Sequence, residues 1–293
     1  MKKTLFFTLL LLACAVFGED APRRIAFERD TTIWVANLDG SGAKKLCAGV
    51  SPSISFDGTR VAFNTEGAMD PARRICVVSV ATGETTVFRD VPGNNSFGPV
   101  FSPNGSQIVF MTFDGSVWSL GLVNSDGSGF RLLKKPAKDE PASYSPCWAR
   151  DGESIFCQDL TKIYRLSLEG AVIAQWEIEK FIPKGDMSSS GRIDVSPDGQ
   201  RLLLGIDMDE PVHRKGWQGP LPALWTLDLA TQKSERLTSK NLFGWDGFWL
   251  DNDTVLFLSQ AAGEKQTSLY RMPLSGKDRK LVIKNAGTSS VSQ

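Results

Sequence analysis

The sequence is poor in the side chains that most enzymes use for proton and group transfer. It holds one histidine, His213, so a Ser-His-Asp or Cys-His pair would have to use it. No Gly-x-Ser-x-Gly turn is present to display a serine nucleophile, which excludes an attached α/β-hydrolase of the propeller-peptidase type. There is no Cys-x-x-Cys and no Cys/His cluster at zinc spacing. Lysine plus arginine number 33 and aspartate plus glutamate 33, so no basic excess favours a nucleic-acid backbone. Apolar runs long enough to cross a bilayer are also missing. These absences lead us to expect no cofactor, no metal and no nucleic acid.

What the first residues carry reads as an export signal. Met1-Lys2-Lys3 is a short cationic start, and residues 5–13 are apolar and uncharged. That pattern reads as a secretory signal peptide over residues 1–18, with Val16 and Gly18 small enough for ordinary cleavage. Leu11-Leu12-Ala13-Cys14 also resembles a bacterial lipobox, which would end the signal at a lipidated Cys14. The expected location is the periplasm, soluble or anchored to the envelope through Cys14. Four further cysteines, Cys47, Cys76, Cys147 and Cys157, sit in apolar strand-like runs. They are compatible with buried thiols or with a bridge, and Cys147 and Cys157 flank one hairpin.

The strongest signal is a repeat. Ser55-Phe56-Asp57-Gly58 precedes Val61-Ala62-Phe63, and Ser102-Pro103-Asn104-Gly105 precedes Ile108-Val109-Phe110. Arg150-Asp151-Gly152 precedes Ile155-Phe156-Cys157, and Ser196-Pro197-Asp198-Gly199 precedes Leu202-Leu203-Leu204. Asp251-Asn252-Asp253 before Val255-Leu256-Phe257 is the last copy, and Ile25-Ala26-Phe27 is the strand of a shortened first one. The four glycines step by 47 residues. In each turn Asp or Asn caps backbone N–H groups, and Gly supplies a positive φ without steric cost. A second phrase follows in each copy, as in Ile33-Trp34-Val35-Ala36, Val117-Trp118-Ser119-Leu120, Ile163-Tyr164-Arg165-Leu166 and Leu224-Trp225-Thr226-Leu227. Its period-2 alternation and aromatic content argue for strands.

Each unit thus has four short strands, a to d. One such sheet leaves both faces uncovered, whereas stacking copies around an axis buries them. The fold expected is all-β: a six-bladed β-propeller over residues 22–293, four antiparallel strands per blade. The first blade lacks its own strand a, and the C-terminal segment 288–293 is placed to pair with it and close the ring. The phrases Phe101-Ser102-Pro103-Asn104-Gly105, Val195-Ser196-Pro197-Asp198-Gly199 and Arg236-Leu237-Thr238 resemble the repeat of the TolB-like (PD40, WD40-like) propeller family. The resemblance covers about residues 22–285 and implies the fold and an envelope setting. No α/β domain precedes the repeats, which departs from TolB itself.

Topology ranks the loops. Connections d-to-a and b-to-c share one face, and the longer ones all fall there: residues 66–74, 91–98, 135–143, 181–192, 207–221, 241–246 and 260–267. Binding residues expected on this face are Trp217, Trp245, Asp246, Asp207, Asp209, His213, Arg73, Arg74, Asn95 and Asp186, with the loop tryptophans the best anchors. The recurring Asp39, Asp57, Asp126, Asp151, Asp198 and Asp228 read as turn caps, without catalysis or calcium. The expected function is non-catalytic binding or scaffolding of a protein, peptide or glycan in the cell envelope. The alternative is a carbohydrate lyase or hydrolase using carboxylates such as Asp186, Asp207 and Asp246 at the channel mouth.

Overall fold

The computed structural model describes residues 22–66, 72–137, 140–209, 220–260 and 266–293. Their strands form six antiparallel sheets that follow one another around an axis. Blade 1 holds β1 (Arg24–Arg29), β2 (Thr32–Asn37) and β3 (Lys44–Ala48). Blade 2 holds β4 (Val50–Ile54), β5 (Arg60–Asn64), β6 (Ile75–Ser79) and β7 (Thr85–Val87). Blade 3 comprises β8 (Ser96–Phe101), β9 (Gln107–Phe113), β10 (Trp118–Asn124) and β11 (Arg131–Lys134). Blade 4 comprises β12 (Tyr144–Trp148), β13 (Ser154–Gln158), β14 (Lys162–Ser167) and β15 (Val172–Glu177). One helical turn, α1 (Ile178–Phe181), leads into blade 5. That blade has β16 (Gly185–Asp186), β17 (Ile193–Val195), β18 (Arg201–Met208), β19 (Leu221–Asp228) and β20 (Ser234–Arg236). Blade 6 has β21 (Trp245–Asp251), β22 (Thr254–Ser259), β23 (Ser268–Pro273) and β24 (Lys280–Ile283). The last strand, β25 (Ser289–Val291), pairs antiparallel with β1, matching Ile25 to Val291 and Phe27 to Ser289.

The second strand of each blade explains why the sheets stack. Its residues alternate between two interfaces, and both are buried. Ala62 packs toward blade 3, while Val61 and Phe63 pack toward blade 1. Val109 faces blade 4, while Ile108 and Phe110 face blade 2. The buried apolar residues accordingly fall into six clusters, each lying between two neighbouring blades. No blade could keep its apolar area from water alone, so each interface stabilises two sheets at once.

The turns behave as their residues dictate. Asn104 accepts hydrogen bonds from the Ser102 hydroxyl (2.8 Å) and the Ser106 N–H (3.0 Å), and Gly105 closes the turn at φ +69°. Asp57 and Asp198 repeat the arrangement, taking the N–H of Thr59 and of Gln200 at 3.0 Å. All four cysteines of the described residues are free. Cys147 lies opposite Phe156 in the β12–β13 ladder, one position away from Cys157. The pleat therefore sends the two thiols to opposite faces: Cys147 packs toward blade 5 and Cys157 toward blade 3.

Candidate binding channel

The six innermost strands, β4, β8, β12, β17, β21 and β25, surround a cavity of about 320 Å³ on the ring axis. All six blades contribute to its wall. Blades 2 and 3 supply the large apolar groups Ile54, Phe56, Phe97, Val100, Phe101 and Met111, with Ser51 and Ser53 among them. The opposite side carries the charged groups Arg192 and Asp194 from blade 5 and Asp246 from blade 6, with Ser189, Ser190, Trp245, Thr288 and Ser290, beside the apolar Ile193, Phe248 and Val291.

A repeated irregularity shapes the loop-rich end. In blades 2, 3, 4 and 6 the innermost strand bulges, two residues standing opposite one. The first bulged residue has positive φ in each: Ser51 (54°), Gly98 (64°), Ser145 (53°) and Asp246 (48°). Such bulges turn a side chain off the ladder, and here all four residues line the channel. Blade 5 enlarges the irregularity. Asp186 pairs with Asp207 and Ile193 with Leu204, which leaves residues 187–192 opposite only Gly205 and Ile206. That excursion carries Ser189, Ser190 and Arg192 into the channel.

Charged groups here are desolvated. Burial pushes the Asp246 carboxyl above its usual range, opposed by the Arg192 charge and a hydrogen bond from Thr288. Burial also raises Glu28, opposed by the Ser51 N–H (3.2 Å to Oε2) and reinforced by the charges of Glu66 and Asp246. Deeper in the channel Asp194 is raised by burial as well. It pairs with Arg150 at 3.5 Å and accepts the Trp249 N–H at 2.7 Å, tying blades 4, 5 and 6 together.

The nominated residues divide. Trp245 and Asp246 line the channel. Arg73 reaches it through Phe97, its guanidinium 4.9 Å from the ring centre, and pairs loosely with Glu66 at 4.0 Å. Asn95 bridges to Arg73 at the rim, its side-chain oxygen enclosed without a hydrogen-bond partner. Arg74 is half-buried, its N–H donating to Thr65 at 2.9 Å, and does not line the cavity. Asp186, Asp207 and Asp209 do not line the cavity. Asp186 and Asp207 face each other across β16 and β18, and burial together with the Asp186 charge raises Asp207. Asp209 is exposed. His213 and Trp217 lie outside the described residues.

Sequence reasoning passed over Arg192, Asp194, Glu28 and Phe97. A signal for Arg192 existed, since positions 51, 98, 145 and 192 keep the 47-residue step of the turns. No group of three or more His, Cys, Asp or Glu residues able to hold a metal occurs among the described residues. Nor is any helix among them long and apolar enough to cross a membrane.

A closed ring of six antiparallel sheets around an axial cavity defines a β-propeller whose recognisable feature is its channel. No protein-family model matches the chain. The Tol-Pal system protein TolB of Anaeromyxobacter dehalogenans is 43% identical over 54 residues, a match spanning 18% of this chain and 12% of that protein's length. Among solved structures, TolB from Acinetobacter baumannii superposes with a TM-score of 0.69 at 17% identity, over 94% of this chain and 67% of that one. A putative TolB from Agrobacterium tumefaciens gives 0.63 at 17% identity, covering 91% of both chains. An oligogalacturonate lyase in complex with manganese gives 0.53 at 16% identity, over 85% of this chain and 73% of that one. The chain has a six-bladed β-propeller fold like that of the TolB structures.

Proposed function

We propose that the protein is an exported, non-catalytic binding or scaffold propeller of the cell envelope, and that its partner is a protein or peptide engaged at the loop-rich mouth of the channel. The observation that carries this reading is the two-sided cavity. Phe97, Val100 and Phe101 offer an apolar wall, while Arg192, Asp246 and a set of hydroxyls face it. An occupant with both apolar and polar groups, as a polypeptide segment or a glycan has, meets complementary surface on each side. Trp245 and Phe97 are the anchors, because large rings give much contact area at little conformational cost. The partial likeness to a Tol-Pal system protein supports an envelope setting.

In this reading residues 1–18 are the signal, with lipidation at Cys14 as the anchored form. The chain enters β1 on the turn face, where Arg24 pairs with Asn37 beside the β2–β3 turn. A tether of residues 15–21 reaches at most about 24 Å. A lipid at Cys14 would therefore hold the turn face toward the membrane and leave the mouth open to partners.

The test is affinity capture from envelope extracts with the wild-type protein and a Trp245→Ala/Phe97→Ala variant. Loss of specific partners with retention of the fold is the expected result. Unchanged capture would move binding to another face. A second reading, carbohydrate cleavage, draws on the half-buried, raised Asp246 and Glu28 at the mouth and on the likeness to the lyase. Turnover of a polysaccharide that Asp246→Asn abolishes would replace the binding reading with this one.

A further inference from the structure

The closing strand is held from two directions. Along its edge it pairs with β1 through only three matched positions. From the channel side, three consecutive residues of the segment are gripped by three different blades. Arg192 of blade 5 donates from its guanidinium to the Ser289 carbonyl. Asp246 of blade 6 lies beside the Thr288 hydroxyl, which favours its charged form. The Ile54 N–H of blade 2 donates to the Ser290 hydroxyl at 2.8 Å. Two of these three contacts come from the pair at the mouth, and Arg192 reaches past the neighbouring blade 6 to make its hydrogen bond. The excursion of residues 187–192 is what brings it there.

We propose that channel occupancy and ring closure are coupled through Arg192 and Asp246: an anionic group that enters the mouth and takes the Arg192 guanidinium from Ser289 loosens the closing strand. A guanidinium prefers a planar carboxylate, which it binds through two parallel N–H donors, to a single neutral carbonyl. The competitor is therefore a carboxylate or a group of like geometry, and a neutral ligand of the same size leaves the strand closed. The clamp itself does not depend on the channel being a binding site; the coupling rests on that reading, and the two parts are separately tested.

Hydrogen exchange read by mass spectrometry follows the amides of Glu28 and Ser292, whose bonds to Thr288 and Arg24 define the closed strand. Amides of β9 and β10 serve as the internal reference. In Arg192→Ala the closing amides should exchange ~10-fold faster than in the wild type, the loss of one charge-assisted bond, with the reference unchanged. Arg192→Lys should fall between them. Citrate added to the wild-type protein, against sodium chloride of equal ionic strength, should speed the same amides and leave Arg192→Ala unaffected. Equal protection in Arg192→Ala and wild type would overturn the clamp. A citrate effect that matches chloride, or that persists in Arg192→Ala, would overturn the coupling while leaving the channel's role in partner capture standing.

Discussion

Asp194 is the carboxylate whose removal the structure prices most directly. It sits on the innermost strand of blade 5, accepts the Trp249 N–H of blade 6 at 2.7 Å, and pairs with Arg150 of blade 4 at 3.5 Å. Asp194→Ala leaves the Trp249 N–H without a partner, at a cost of about 1–3 kcal/mol. It also leaves Arg150 partly uncompensated; breaking a buried pair costs about 3–5 kcal/mol. Arg150 still donates to the Val195 carbonyl at 2.8 Å and to the Ser196 carbonyl at 3.2 Å, so the lower end applies. The combined loss should be about 3–4 kcal/mol, since the two effects share one side chain and do not simply add. Asp194→Asn keeps an acceptor for Trp249 and relieves the burial of a charge, so its loss should stay below about 1.5 kcal/mol. Urea unfolding followed by tryptophan fluorescence and circular dichroism measures both. A loss below about 1 kcal/mol for the alanine variant, or equal losses for the two, would refute the claim that this carboxylate joins three blades.

Further expectations follow from the same groups. Glu28, Asp194, Asp207 and Asp246 are raised by burial, so the folded chain binds more protons than the unfolded one just above the ordinary carboxylate range, and stability falls as pH rises through that interval. Asp57 and Asp198 are lowered, with hydrogen bonds from their own turns and a nearby arginine outweighing desolvation, so their contribution disappears as pH drops below that range. Thermal unfolding should therefore peak in mildly acidic buffer, and a midpoint rising steadily from pH 5 to 8 would contradict this. Gly105→Ala places a Cβ 2.8 Å from the Arg60 guanidinium at φ +69°, and should cost about 1–2 kcal/mol in chemical denaturation. Burial pushes the thiols of Cys147 and Cys157 up to about 12 and that of Cys47 to about 11. A thiol reagent at neutral pH should label Cys147 and Cys157 only after unfolding, and rapid labelling of either in the native protein would show those strands open.

The sequence exposed the parts of the fold that local chemistry determines. A glycine at φ +69° after Asn104 is readable because no other residue fits the turn as easily. The alternation at residues 61–63 and 108–110 is readable because both faces are apolar. The channel was less legible. Its lining comes from innermost strands whose polar residues carry no periodic signal, and from bulges that shift the register by one. Glu28 reads as the end of an ordinary strand, and only the ring brings it near Asp246. Asp186 and Asp207 lie in segments that look like mouth loops, yet they pair across β16 and β18 and do not line the cavity, because residues 187–192 and not their neighbours turn into the axis. The relation between Cys147 and Cys157 depended on facing direction, which the register of one bulged hairpin decides.

The claim that the loop-rich mouth is the recognition surface has one most direct measurement. A photo-crosslinking amino acid placed at position 97, in the channel wall, is compared with one at position 126, on an exposed turn of the opposite face, in cells expressing the full chain. The account predicts discrete adducts from position 97 that Trp245→Ala diminishes, and none from position 126. Adducts from position 126 alone would contradict it.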